Sequence, residues 1–386
     1  MGPASAEDSP AQWRPLGQAA ASPWTEQSAQ HERDRRFGDA LQALKARVDA
    51  SLGEEDVAHV KRIRRWSNAF EAAGRLLIHL SLEPLSFLLG VVLLAIHQQL
   101  ETTEIGHTAL HGAYDGLPGA EAFRSEDFAW RDVPIDEESW KHGHNLRHHP
   151  YTNVTDRDGD IHVGPVRLNT RTPRRAFHAY QVPWLLAEAG FFCVGMNLHF
   201  TGVNDTRADN GRGGLDFLPD RSAPSVRAAW RRALRKLGPY TFKNYVFFPA
   251  LAGLSFWKVM LGNFLASTLR DLYSAATIYC GHVGDDVADY PVGARAHGRG
   301  EWFRMQVEAT NNFEVPYALS LLCGGLDTHI EHHLFPTLPP NRLREIAPEV
   351  RRVCEAHGVT YRSAPWPTVL RRVLRRLLAL GRPDAR

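Results

Sequence analysis

Gly324-Gly325-Leu326-Asp327-Thr328-His329-Ile330-Glu331-His332-His333-Leu334-Phe335-Pro336 sets three histidines at i, i+3 and i+4. On a helix these positions share one face, so three imidazoles point the same way. Imidazoles grouped like this suit a transition metal. With 19 His in 386 residues, a given HxxHH triplet arises by chance at roughly one position in 8,000, so coincidence explains this stretch poorly.

Three other places supply matching pieces. His107-Thr108-Ala109-Leu110-His111 is an HxxxH pair, and His144-Asn145-Leu146-Arg147-His148-His149 is an HxxxHH triplet. His282 ends a long apolar run. A lone HxxxH is as readily a pair of surface or capping histidines. Taken together the boxes point to one site built from nine imidazoles. His142, His162 and His199 lie near the boxes but outside their pattern and are set aside.

The net charge of +2 carries no nucleic-acid footprint. Cys193, Cys280, Cys323 and Cys354 show no metal or disulfide spacing. Met1–Gln30 is rich in Ala, Ser, Pro and Gln, reads as a disordered tail, and lacks the apolar core of a signal peptide. From Arg33 to Leu52 the spacing of Phe37, Leu41, Leu44 and Val48 is helical and amphipathic. Lys61-Arg62-Ile63-Arg64-Arg65 is a basic cluster of the kind kept on the cytoplasmic side of a membrane.

Leu76–Ile96 fits a single membrane span. It also fits a hairpin turning near Glu83-Pro84, although Glu71 and Arg75 argue against that. Tyr114–Arg175 is too polar for lipid. Asn244–Gly281 is the clearest membrane segment: its only charges are Lys258, Arg270 and Asp271, and two short spans fit with Lys258 near the turn. That hairpin returns the chain to the side it left. The boxes form one site only if Val182–Phe200 does not cross, so an interfacial helix is expected there. The basic Arg227–Lys243 loop agrees with a cytoplasmic placement.

The expected architecture is an all-α integral membrane protein with about four transmembrane helices in two hairpins and a cytosolic helical cap carrying the boxes. Its segments are 1–60 (disordered, then amphipathic), 61–111 (first membrane segment, ending in the first box) and 112–175 (cytosolic loop with the second box). They continue with 176–243 (interfacial helix and basic loop), 244–282 (transmembrane hairpin) and 283–386 (cytosolic helices with the third box).

With the boxes in hand, the chain resembles the membrane fatty acid desaturase family from about Gly106 to Tyr361. His144-Asn145 with His148-His149-Pro150-Tyr151-Thr152-Asn153 looks like that family's second box. Gln306-Val307-Glu308, Thr310-Asn311, Gly324-Gly325-Leu326 and Ile330-Glu331-His332-His333-Leu334-Phe335-Pro336 look like its third. His357-Gly358 and Tyr361 resemble its C-terminal end. Front-end members commonly have Gln where this chain has His329. Many also carry a fused cytochrome b5 domain with a His-Pro-Gly-Gly motif, which does not occur here. A separate electron donor, such as ferredoxin or cytochrome b5 with a reductase, is therefore implied.

Removing hydrogen from an unactivated methylene needs an oxidant stronger than any side chain; iron with O₂ is one. Two irons with four or five nitrogen ligands each need about nine imidazoles, unlike the Glu-rich sites of soluble di-iron bundles. The resemblance also places a metal-binding histidine after the second hairpin, where His282 stands. The expected ligands are thus His107, His111, His144, His148, His149, His282, His329, His332 and His333, with no further catalytic side chain. Ligating histidines usually donate their second N–H to a carboxylate or carbonyl, and Asp156, Asp158, Asp160, Glu308, Asp327 and Glu331 are the candidates.

The expected reaction is O₂-dependent acyl desaturation at the cytoplasmic face of the cell (inner) membrane. The acyl chain would be held on CoA, carrier protein or lipid. The alternative is a di-iron hydroxylase or monooxygenase on an alkyl or acyl chain. A zinc hydrolase lacks its HExxH signature here, and nine clustered histidines exceed what one zinc uses. A metal transporter would place ligands along a crossing path rather than at membrane edges.

Overall fold

The computed structural model describes residues 23–206, 216–284 and 286–382. Residues 1–22 of the expected tail lie outside this range. From Pro23 the chain is helical, as Pro23–Asp49, starting ahead of the apolar spacing that begins near Arg33. That spacing is the buried stripe: Phe37, Leu41, Leu44 and Val48 pack against Phe303, Ile330, Phe335 and Leu343. The N-terminal helix therefore lies over the third box.

Next comes a helical hairpin. Glu54–Leu80 starts with Glu54, Glu55 and Asp56 in its first turn, where acidic charge favours a helix N-terminus. It stops at Ser81, and Pro84–Leu110 runs back. Two devices start the second arm. Glu83 accepts hydrogen bonds from the Leu85 and Ser86 amides at 2.6 Å each, and Pro84 takes the first helical position. The turn falls where one of the two readings of Leu76–Ile96 put it. Glu71 and Arg75 do not oppose it, because they pair with each other at 2.9 Å, and Arg75 also reaches Asp132 at 2.7 Å.

The second hairpin differs from its expected form. Ala223–Phe242 runs on through a wide turn, Lys243–Phe247, into Phe248–Leu251. The boundary drawn at 243/244 therefore falls inside one continuous arm. The chain then turns at Gly253–Ser255 and returns as Phe256–His282, 27 residues long. Lys258 lies just after this turn, near it as expected. Its ammonium donates to the carbonyls of His79 and Ser81, at 2.9 and 2.8 Å, and so ties the two hairpin turns together. Arg270 and Asp271 are buried and paired at 2.8 Å, packed in protein rather than at a surface.

Val182–Phe200 is two helices, Gln181–Gly190 and Phe192–Phe200, meeting at Phe191. A three-residue parallel strand pair, Asn312–Glu314 with Ser363–Pro365, departs from a wholly helical chain. Among the described residues one helix, Pro84–Leu110, is long and apolar enough to cross a membrane.

Candidate metal centre and acyl cavity

Each box is placed by a local backbone device. Pro84–Leu110 widens over Glu101–His107 before delivering His107, and His111 caps its end. The second box widens likewise over Lys141–His148, where the His149 amide reaches the His144 carbonyl five residues back. In such a π-helical turn the residues four and five ahead both lie below the first, so His148 and His149 both face His144. Wide turns of this kind occur most often at functional sites.

The third box rides on His329–Leu334. Asn312 holds this short helix from the side: its Oδ1 accepts from the Ile330 amide and its Nδ2 donates to Glu331, both at 2.7 Å. Two glycines let it approach. Gly324 has φ +65°, and a Cβ there would meet the Thr103 backbone at 2.5 Å. A Cβ on Gly281 would meet the His329 ring at 2.5 Å. Glycine is the residue that allows both approaches.

The nine imidazoles converge in two groups. His107, His111, His144 and His332 present nitrogens within 4.8 Å of one another, as do His148, His282 and His333. His329 joins the second group, with its Nε2 2.8 Å from His282 Nε2. His149 stands between them: its Nε2 is 3.2 Å from His144 Nε2, and its ring stacks on His333 at 4.3 Å. Nε2 of His107 and His144 are 3.4 Å apart, and those of His148 and His282 3.2 Å.

A metal fits these residues. Nitrogens about 2.1 Å from one ion sit roughly 3.0–3.4 Å apart along the edges of a coordination polyhedron. His111 Nε2, His333 Nε2 and both nitrogens of His332 are buried without a hydrogen-bond partner, a costly state that a bound cation relieves. Burial holds the His329 imidazole down at about 3. Burial, then neighbouring imidazoles, keep His111, His144, His149, His332 and His333 well below the usual histidine range. These rings are neutral, the form that ligates metal. Burial also disfavours charge on His148, but Asp158 and Asp160 overcome it and raise the group to about 9.

The outer nitrogens are braced unevenly. Asp158 accepts from His148 Nδ1 at 2.9 Å, and Asp160 from His144 Nδ1 at 3.0 Å. The other four expected carboxylates make no hydrogen bond to a box histidine. Asp156 accepts from the Gly293 amide, and Glu308 binds Arg304 and Tyr290. Asp327 takes the Ser320 hydroxyl, and Glu331 binds Asn312 and Tyr361.

Three neutral groups do the bracing elsewhere. Gln306 Oε1 and Thr152 Oγ1 lie 3.0 and 3.1 Å from His333 Nδ1, and the Leu326 carbonyl 3.2 Å from His329 Nδ1. Gln306 and Thr152 both stand in the stretches that carry the family resemblance, which was their only signal. His199 and His162 bind the Gly159 and Thr155 carbonyls, at 3.0 and 2.7 Å, and so hold the Asp158–Asp160 loop rather than the centre.

Beside both groups lies a mostly apolar cavity with about 950 Å³ of empty space, its open end included. Trp140, Ile161, Val163, Phe192, Met196 and Ile278 line it together with His107, His144, His148, His282, His329 and His332. An apolar chain lying there passes directly beside the imidazoles.

Helices that bring a histidine cluster to the wall of an apolar cavity define a candidate metal site beside space for an apolar chain. The fatty acid desaturase family model matches residues 82–365, a wider span than the boxes alone indicate. The NADPH-dependent stearoyl-CoA 9-desaturase of Mycobacterium tuberculosis is 31% identical over 349 residues, covering 89% of this chain and 79% of that one. The acyl-lipid (8-3)-desaturase of Physcomitrium patens is 29% identical over 64% of this chain and 51% of its own. The sn-1 linoleoyl-lipid 6-desaturase of Synechocystis is 25% identical over 72% of this chain and 76% of its own. The chain belongs to the fatty acid desaturase family, oxidoreductases that introduce double bonds into fatty acids.

Proposed function

We propose that the chain is an integral membrane acyl desaturase whose eight box imidazoles, with His282, hold two iron ions. His107, His111, His144, His149 and His332 would take one iron, and His148, His282, His329 and His333 the other. The observation that carries this is the convergence of nine imidazoles, six of which line one apolar cavity. Iron with O₂ supplies the oxidising power that side chains lack.

The reaction balances as R–CH₂–CH₂–R′ + O₂ + 2 e⁻ + 2 H⁺ giving R–CH=CH–R′ + 2 H₂O. The acyl chain supplies two electrons and two hydrogens. A separate protein supplies the other two electrons. The chain's own part is positional. Trp140, Ile161 and Phe192 hold the methylene pair beside the imidazoles and exclude water. Asp158 and Asp160 turn His148 and His144 so that their Nε2 atoms face inward.

A saturated acyl-CoA is the favoured carrier form, since the mycobacterial relative named for that substrate covers most of both chains. Membrane insertion is supported by the large apolar side chains the two hairpins leave exposed, Leu85, Leu88 and Leu89 on one and Trp257, Leu261 and Phe264 on the other. Four spans with the boxes on the cytoplasmic face follow from the hairpin parity and the basic segments.

The test is expression in a host of known lipid composition, followed by fatty-acid profiling and metal analysis. A new alkene and two irons per chain are expected. One zinc without iron refutes the centre, and an alcohol in place of the alkene moves the reading to a hydroxylase.

A further inference from the structure

The stoichiometry requires two external electrons, delivered to imidazoles that are nearly all buried. This inference rests on that O₂-dependent reading. One surface near the cluster touches it through hydrogen bonds. An open pocket of about 1040 Å³, solvent side included, is lined by Pro150, Tyr151, Thr152, Arg299, Trp302 and Gln306, among others. Thr152 and Gln306 are the groups on His333 Nδ1. The Trp302 indole donates to the Pro150 carbonyl at 3.3 Å, and Pro150 follows His149 in the chain. The pocket wall is thus one bonded step from His333 and one residue from His149, the two rings that stack between the metal groups.

The rim has a charge of one sign to offer. Arg295 lines the pocket too, and Arg295 and Arg299 are exposed. Neither makes a salt bridge or side-chain hydrogen bond among the described residues; Arg299 only lies over the Phe303 ring at 5.6 Å. Arg157, over Tyr151 at 5.2 Å, is paired with Asp156 at 3.9 Å and adds no free charge. The nearby acids are engaged: Asp156 by the Gly293 amide, Glu301 by His297 and Arg304.

A second pocket reaches the cluster near His282, at Val283. Its guanidiniums are committed. Arg372 lies 3.5 Å from Asp286, and Arg362 donates to the Glu308 carbonyl at 3.5 Å. Unpaired cations at the rim of a site steer an acidic partner and set its on-rate.

We propose that the Trp302 pocket is the electron port, the surface on which a small acidic electron-transfer protein docks to reduce the centre through His149 and His333. A transient contact of that kind needs less than about 1,200 Å² of buried surface.

The experiment uses the full chain, iron-loaded in detergent, and an acidic [2Fe–2S] ferredoxin as probe. Oxidised ferredoxin is titrated calorimetrically onto wild type and onto Arg295→Glu/Arg299→Glu. Reduction of the centre by reduced ferredoxin and by dithionite is followed by stopped flow. Affinity and ferredoxin-driven rate should each fall about tenfold or more in the double variant at low salt, with the dithionite rate unchanged. Arg372→Glu should leave all three as in wild type. The port is overturned if wild type does not bind the probe, if the double variant stays within about twofold, or if Arg372→Glu carries the loss. Calorimetry needs no reducible centre. A chain that binds ferredoxin through Arg295 and Arg299 but holds no iron keeps the docking surface and defeats the di-iron reading instead.

Discussion

The two ends of the helix Pro84–Leu110 obey opposite rules. Its first turns expose Leu85, Leu88, Leu89 and Val92, while its later turns bury His97, Gln98, Glu101, Thr102 and Glu104. Phe256–His282 repeats the inversion, with Trp257, Leu261 and Phe264 exposed early and Arg270, Asp271, Ser274 and Thr277 buried late. In water such helices would be inside out. Apolar exposure of this extent marks contact with lipid or a partner. Each buried acid at the other end has a counter-charge. Glu104 is held by Arg344 at 2.6 Å and His59 at 2.8 Å, and Glu101 by Arg64 at 3.3 Å. The lesson is that polar groups here gather around the histidine boxes and apolar ones face outward at the hairpin ends.

The strongest way to break the polar end is to remove a proposed ligand. His332 offers two buried nitrogens without partners to a group whose other members come from the first two boxes. His332→Ala should cut desaturation by more than about hundredfold, beyond the effect of losing a supporting carboxylate. Iron per chain should drop as well, with membrane insertion unchanged. Full turnover with normal iron content would remove His332 from the centre.

The apolar end is sharpened by a charge. Leu89 is half exposed on the outward face of its helix. If that face meets lipid, Leu89→Asp should disfavour insertion by up to about 3 kcal/mol, the penalty for Asp near the bilayer centre. The same change at an ordinary water-facing site costs within about 0.5 kcal/mol. The ratio of membrane-bound to extractable chain decides between them.

The histidine clustering was legible because side chains carried on one turn sit a few residues apart, so periodicity exposes them. The amphipathic stripe of the N-terminal helix was legible for the same reason. Charges inside an apolar context misled. Glu71 and Arg75 weigh against a hairpin when read singly, yet Glu71 meets Lys243 and Arg75 meets Asp132, both from distant segments. The wide turns at Glu101–His107 and Lys141–His148 left no sequence sign, since they are set by packing rather than by propensity. Bracing groups were half legible. Which carboxylate reaches a ring depends on how a loop folds over it, and neutral bracers such as Gln306 have no compositional mark.

The Asp156–Asp160 loop holds that difference within three residues, and gives the two smaller effects. Asp158 is fully buried. One oxygen accepts from His148 Nδ1 at 2.9 Å and from the Asp160 amide at 2.9 Å, and the other from the Asn153 amide at 2.7 Å. It therefore orients a ring and shapes the loop that presents Asp160 to His144. Asp158→Asn keeps the size but loses the charge, and should weaken iron binding about 10- to 100-fold, read by competition with a chelator. Asp156 points the other way. Its side chain is 33% exposed, sits 3.9 Å from Arg157, and accepts only the Gly293 amide at 3.0 Å. An asparagine oxygen can accept the same bond, so Asp156→Asn should change stability by no more than about 0.5 kcal/mol and leave iron affinity at the wild-type value. Equal losses of iron in the two variants would mean that the loop acts through its total negative charge rather than through the bond from Asp158 to His148.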